Sequence, residues 1–183
     1  TNAGTATVTI TATLDGNYSG SATKNFIIDK APLTPSVASV TSKTYDGNTS
    51  AAGTLSLATP VNSELPTATG TFVWTSANAG TTTVNVSDIA LDGSWGDNYV
   101  LSTTALSGIT APASASITKK PLANSMIAAI ANQTYTGLAI TPIPVVTDGT
   151  PSIIAGTDYD VSYSNNTNAG TATVTITATL DGN

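Results

Sequence analysis

Apolar residues in this chain fall on alternate positions over short runs. From Thr5 to Leu14, Ala6, Val8, Ile10, Ala12 and Leu14 take the even positions and Thr takes the odd ones. A period of two predicts a strand with one buried and one wet face. Comparable runs lie at Val37–Val40, Thr54–Ala58, Thr71–Trp74, Thr82–Leu91, Tyr99–Leu106, Ser114–Ile117, Tyr159–Tyr163 and Thr171–Leu180. Stretches such as D-G, N-A-G, P-V-N and S-G-I-T separate them, and these residue types turn the chain. Only Ser125–Ala131 carries a helical pattern, and it is short. Short strands spaced about 8–12 residues apart predict an all-β chain of the sandwich or barrel type.

The pattern repeats. Thr1–Asn17 and Thr167–Asn183 are identical over 17 residues, a period of 166. A weaker repeat lies inside it. T44-Y-D-G47 returns as T134-Y-T-G137, N78-A-G-T as N168-A-G-T, and K30-A-P-L33 as K119-K-P-L122. Each long period therefore holds two related modules. Residues 31–119 are a complete module. Residues 1–30 are the C-terminal part of a second type, and residues 120–183 begin its next copy. The short Lys-x-Pro-Leu junctions predict modules set end to end, because a proline there starts a strand without donating a ladder bond. Two incomplete halves predict either a longer parent chain or chains that complete one another by strand donation.

Differences between the modules also predict structure. In A172-T-V-T-I-T-A-T-L180 the apolar phase is constant, whereas in T82-T-V-N-V-S-D-I-A-L91 it slips by one between Val86 and Ile89. One extra residue in a strand predicts a β-bulge. Past Leu91 the first module inserts S94-W-G-D97 and carries a longer final hairpin.

Composition narrows the chemistry. The chain of 183 residues has no Cys, His or Arg, five Lys and a net charge of −6. Nucleic acid is excluded as a partner, because it demands clustered cations. Threonine fills about a fifth of the chain, a β-branched polar residue suited to the wet face of a sheet. No apolar run reaches the roughly 18 residues of a membrane span. An acidic, Cys-free, Thr-rich chain suits an exposed surface protein.

Four segments in order, V40-T-S-K-T-Y-D-G-N-T, N78-A-G-T-T-T-V-N-V-S-D-I-A-L, G96-D-N-Y-V-L and I117-T-K-K-P-L, resemble the YDG-type repeat of large bacterial surface proteins. Q133-T-Y-T-G, Y159-D-V-S-Y-S-N-N-T-N-A-G-T and G16-N-Y-S-G resemble the MBG-type module that accompanies it. The resemblance implies tandem immunoglobulin-like β-sandwich modules arranged as a rod, in an extracellular adhesin or filament on the bacterial cell surface. It carries no catalytic residue. The partners it implies are neighbouring repeats of the same chain or filament.

The residues agree that no enzyme is expected. Nucleophile pairs need a His or Cys, zinc needs the same residue types, and Glu64 is the sole glutamate. The strongest binding candidate is the turn with Asp92, Trp95, Asp97 and Asn98. Its oxygens suit Ca2+, and Trp95 offers a stacking face for a sugar. The plainer reading is a long turn with an aromatic lid. Asp158 and Asp160, beside Tyr159, offer a second oxygen pair. The row Thr5, Thr7, Thr9, Thr11 and Thr13 invites an ice-binding surface, and multivalent glycan binding is the other alternative to a stalk. A Lys–Asn isopeptide bond needs a buried lysine, an asparagine and an acid in contact. Tyr45 and Tyr135, before matched glycine turns, are expected to close the sandwich with their rings in the core. Phe72 and Trp74 share one strand phase and should also be core. Tyr99 and Tyr18 should anchor the last hairpin of each module.

Overall fold

The computed structural model describes residues 2–58, 60–149 and 153–179. The chain is all-β, and the described residues include short 3-10 turns at Trp95–Asp97, Pro112–Ser114 and Asn124–Met126. It divides into two compact units. One contains residues 1–41, 50–74 and 83–115, and the other 42–49, 75–82 and 116–183.

The first unit begins with an antiparallel hairpin of β1 (Gly4–Thr11) and β2 (Ser21–Ile28), in which Val8 faces Lys24 and Ala6 faces Phe26. Two three-stranded sheets follow. In one, β3 (Ala31–Val40) lies between β5 (Gly53–Ala58) and β8 (Tyr99–Leu101); β8 runs parallel to β3. In the other, β7 (Thr83–Leu91) lies between β6 (Ala68–Trp74) and β9 (Leu106–Thr110), antiparallel to both. Phe72, Val86 and Ile89 of the second sheet pack with Val37, Leu55 and Leu101 of the first, so one core lies between the two. Trp74, Val84, Tyr99 and Leu33 are also buried.

The bulge appears where the phase slip places it. Thr69 faces Ala90 and Thr71 faces Ser87, so β7 carries one extra residue over that interval. Asp88 takes it up with φ +53°, and its carboxylate accepts a hydrogen bond from the Ser87 hydroxyl at 2.9 Å. The slip keeps both Val86 and Ile89 buried. Asp tolerates this left-handed backbone better than a β-branched residue would.

In the second unit, β4 (Lys43–Thr44) pairs in parallel with β10 (Ile117–Thr118), and Ile117 is buried. Beyond residue 120, an isolated bridge joins Ile127 to Val146, and β11 (Tyr159–Ser164) pairs with β12 (Thr173–Ala178). In this hairpin Tyr163 faces Val174 and Val161 faces Ile176. In the first unit Trp74 faces Val84 and Phe72 faces Val86. The β11–β12 pair is thus the counterpart of β6–β7.

Several expectations change. The run Thr5–Leu14 is a strand only to Thr11, and neither of its faces is buried: Val8 is 48% and Ile10 69% exposed. The apolar alternation is real, but no second layer covers it among the described residues. Tyr99–Leu106 is not one strand and makes no hairpin. The chain pairs β8 with β3, turns through Ser102–Ala105, and returns as β9 on the other sheet. The Thr103 hydroxyl bonds to the Ala105 carbonyl and amide there, which breaks the strand. Ser114–Ile117 is mostly not a strand either. Pro112 lacks a ladder donor, and Ala113 and Ser114 both have positive φ, so only Ile117 and Thr118 pair. Ser125–Ala131 yields one 3-10 turn and then extended chain. The end of the last strand expected at Leu180 lies outside the described residues.

Candidate functional site

The inserted loop starts where β7 ends. The Asp92 amide donates to the Thr67 carbonyl at 2.9 Å, and Gly93 reverses the chain at φ +56°. The turn Trp95–Asp97 then closes, with the Asp97 amide donating to the Ser94 carbonyl and the Asn98 amide to the Trp95 carbonyl. Asp92, Trp95 and Asn98 are half-buried, while Asp97 is exposed. The Trp95 ring sits 6.2 Å from the Tyr99 ring, tilted at 59°, a separation at which aromatic pairs attract.

This loop is tied to the residues that precede the module. The Lys30 ammonium donates to the Gly96 carbonyl, and the Ala31 amide donates to the Asn98 carbonyl at 2.9 Å. The Asn98 side-chain oxygen accepts from the Ala3 amide at 2.8 Å, and its amide nitrogen donates to the Asn2 side chain at 3.3 Å. The four predicted residues therefore share one loop, but the Asn98 oxygen proposed for a cation holds the backbone of Ala3. Among the described residues no three acids, histidines or cysteines gather as a metal-ligand set. What the arrangement does is fasten residues 2, 3, 30 and 31 to the end of the two-sheet body.

Tyr99 supports the loop from below. Buried to 1% exposure, it donates its hydroxyl to Glu64 and accepts from the Val61 amide at 3.0 Å. Burial pushes the phenol pKa up, and the bond to the Glu64 carboxylate adds to the shift. Tyr99 is buried as expected, but it holds Val61 and Glu64 and not a final hairpin, which the chain does not form; Tyr18 is 86% exposed.

The Y45-D-G47 turn holds a cluster that sequence reasoning did not assemble. Lys43 Nζ lies 2.7 Å from Asp46 Oδ1, 2.7 Å from the Asn48 carbonyl and 2.8 Å from Asn48 Oδ1. The Asn48 amide donates to Asp46 Oδ1 at 3.1 Å, and Gly47 takes φ +76°. The Lys43 hydrogen bond, and after it the Asn48 amide, holds the Asp46 carboxyl below the usual carboxylate range. Here a lysine, an asparagine and an acid do meet, but the acid is exposed and held ionised, unlike the acid an isopeptide bond needs. Amide formation needs a neutral amine and a carboxylic acid able to give up a proton, and a buried site promotes both. Asp46 is exposed and held ionised, so this cluster is a charge-pinned turn. A lysine three residues before the aspartate was its only advance signal.

The remaining candidates separate. Phe72 and Trp74 are core, as their phase predicts. Tyr45 is half-buried and contributes its amide to the Thr118 carbonyl, and Tyr135 is 61% exposed, so neither closes a core. Asp158 caps its own turn by accepting from the Ile154 amide at 2.8 Å, and Asp160 is exposed on β11. Thr5, Thr7, Thr9 and Thr11 lie on β1 across from Ile27, Asn25, Thr23 and Ser21, and Thr13 is outside the strand. The Thr7 hydroxyl is spent on Asn25 at 2.8 Å. Thr9 and Thr11 face the hydroxyl residues Thr23 and Ser21 across the hairpin.

Residues 28–106 match the family model of the YDG domain. No curated protein and no solved structure matches the chain.

Proposed function

Because residues 28–106 form a YDG domain, we propose that the chain is a structural repeat, a stalk or filament segment of a large extracellular bacterial adhesin serving surface attachment or gliding-type adhesion. The observation that carries this reading is the return of Thr1–Asn17 as Thr167–Asn183. It makes the YDG domain one member of an alternating pair, its companion being the MBG-type module of residues 120–183 and 1–30. Both modules are immunoglobulin-like sandwiches joined end to end at the Lys-x-Pro-Leu steps. The stability of such an array is close to a sum of module and neighbour terms, so length adds little risk of unfolding. Few charges and a Thr-rich surface suit a spacer that must stay soluble while carrying no chemistry of its own. The loop around Trp95 then acts as the fastening of each YDG domain to the module before it.

The test is length. A ten-residue strand rises about 33 Å, so two modules extend a rod by roughly 70 Å per period. Small-angle scattering on proteins of one, two and three periods should show the maximum dimension growing by that step. A radius that grows only as a compact body would refute the stalk.

A further inference from the structure

Half of the aspartates stand directly before a glycine: Asp15, Asp46, Asp92, Asp148 and Asp181. An Asp-Gly step is open to self-cyclisation, because glycine has no Cβ to keep its amide nitrogen away from the neighbouring carboxyl carbon. The nitrogen forms a bond to that carbon and gives up its proton, the carboxyl gives up a hydroxyl, and one water leaves a succinimide ring. Water then reopens the ring at either carbonyl. One opening restores aspartate. The other leaves isoaspartate, with an extra methylene in the main chain. Loss of the hydroxyl requires the protonated carboxyl, so whatever holds the carboxylate as an anion slows the closure.

Among the described residues the side-chain ion pairs are Lys43–Asp46 and Lys120–Asp148, each at 2.7 Å, and both fall on an aspartate that precedes glycine. The backbone does not distinguish these steps from Asp92–Gly93. Gly47, Gly93 and Gly149 all take left-handed φ, at +76°, +56° and +76°. What differs is the grip on the carboxylate. Asp46 Oδ1 also accepts from the Asn48 amide at 3.1 Å, and a donor to the anion favours the anion; the Asp46 carboxyl is accordingly held below the usual range. Asp92 has its main-chain amide on the Thr67 carbonyl, but its carboxylate meets no donor among the described residues. At Asp15–Gly16 it is the glycine amide that is engaged, donating to the Thr13 carbonyl at 3.2 Å, and Asp181–Gly182 lies outside the described residues. We propose that Lys43 and Lys120 guard Asp46–Gly47 and Asp148–Gly149 against cyclisation, and that Asp92–Gly93, which has no such lysine, is the step at which the chain converts to isoaspartate. The added methylene falls between the Asp92 amide, fixed on Thr67, and the turn Trp95–Asp97. The modification therefore lands in the loop that fastens residues 2, 3, 30 and 31. Nothing in this inference depends on the stalk reading.

The test is to age the full chain in warm neutral buffer, digest it, and resolve the succinimidyl and isoaspartyl peptides by liquid chromatography and mass spectrometry. Isoaspartate should accumulate at Asp92 about two- to fivefold faster than at Asp46 or Asp148, the range that an exposed ion pair commands. Lys43→Met should raise the rate at Asp46 by a similar factor and leave Asp92 and Asp148 unchanged, and Lys120→Met should act on Asp148 alone. A variant that merely loosened the fold would raise all of them, so the confinement of each effect to one aspartate separates guarding from misfolding. In concentrated urea the wild-type steps should age at similar rates, since the guards act only in the folded chain. Equal rates in the folded wild type, a lysine variant without effect on its own aspartate, an increase spread over all of the steps, or the same order persisting in urea would each overturn the proposal.

Discussion

One position in the duplicated strand allows a direct comparison of environments. Val84 is 0% exposed in β7, and Val8, its match in β1, is 48% exposed. Val→Ala removes two methyl groups. At about 0.8 kcal/mol per buried carbon the transfer loss at Val84 is about 1.6 kcal/mol. The cavity left at this fully buried site raises the total to about 2–3 kcal/mol. At Val8 roughly half of the surface already meets water and no second sheet stands opposite, so the loss should stay below about 1 kcal/mol. Urea melts at low protein concentration, followed by tryptophan fluorescence, measure the first, because Trp74 faces Val84 across β6 and β7. Amide exchange in β1 and β2 measures the second. If Val8→Ala costs the hairpin as much as Val84→Ala costs the two-sheet body, the hairpin face is covered in the dilute chain and the reasoning from exposure is wrong.

Three further outcomes are expected. Tyr99→Phe removes the bonds to Glu64 and Val61 and should destabilise the first unit by about 1–3 kcal/mol. Because the folded phenol pKa is raised above 10.0, this contribution is complete below pH 10 and declines as pH rises toward the folded pKa; the variant should lose that part of the alkaline decline in pH-dependent melts. Gly53→Ala places a Cβ 2.6 Å from the Ser39 carbonyl oxygen and 2.7 Å from the Phe72 ring, an overpacking loss of about 1–3 kcal/mol; Gly96→Ala, whose Cβ meets nothing within 4 Å, should be near neutral in the same thermal melts. Asp46 should titrate below 3.8 by NMR. Its pairing stabilises the turn above that value and is lost as pH falls through the folded pKa, and Lys43→Met should bring the midpoint back up.

Features written in local order were legible. The phase slip between Val86 and Ile89 marked the bulge at Asp88, because a strand alternates strictly and one extra residue must be absorbed. The shared phase of Phe72 and Trp74 marked the core for the same reason. Long-range partners were not legible. Nothing in T103-T-A distinguishes a strand that continues from one that crosses to the opposite sheet, since both are polar and β-branched. Asn98 looked like a cation ligand because its partners, Ala3 and Asn2, lie 95 and 96 residues upstream. The alternation of β1 correctly announced an apolar face but could not say whether another layer covers it. Lys43, Asp46 and Asn48 meet only because Gly47 turns the chain back on itself.

The parallel strand pairs bear on how the fold would resist a pull on its strands. In β1–β2, Gly4 faces Ile28, so the ends of the hairpin lie side by side and a pull on them parts the rungs one at a time. In β3–β8, Ala31 faces Tyr99 and Leu33 faces Leu101 with both strands running the same way. A pull entering at the start of β3 and leaving past the end of β8 slides one strand along the other, and all of those rungs resist together. Within the second unit, β4 and β10 are loaded in the same sense, with Lys43 facing Ile117 and Thr44 facing Thr118. The same backbone bonds thus serve as a zipper in one place and as a lap joint in two others, and it is the lap joints that stand at the start and finish of the segment between Ala31 and Thr118.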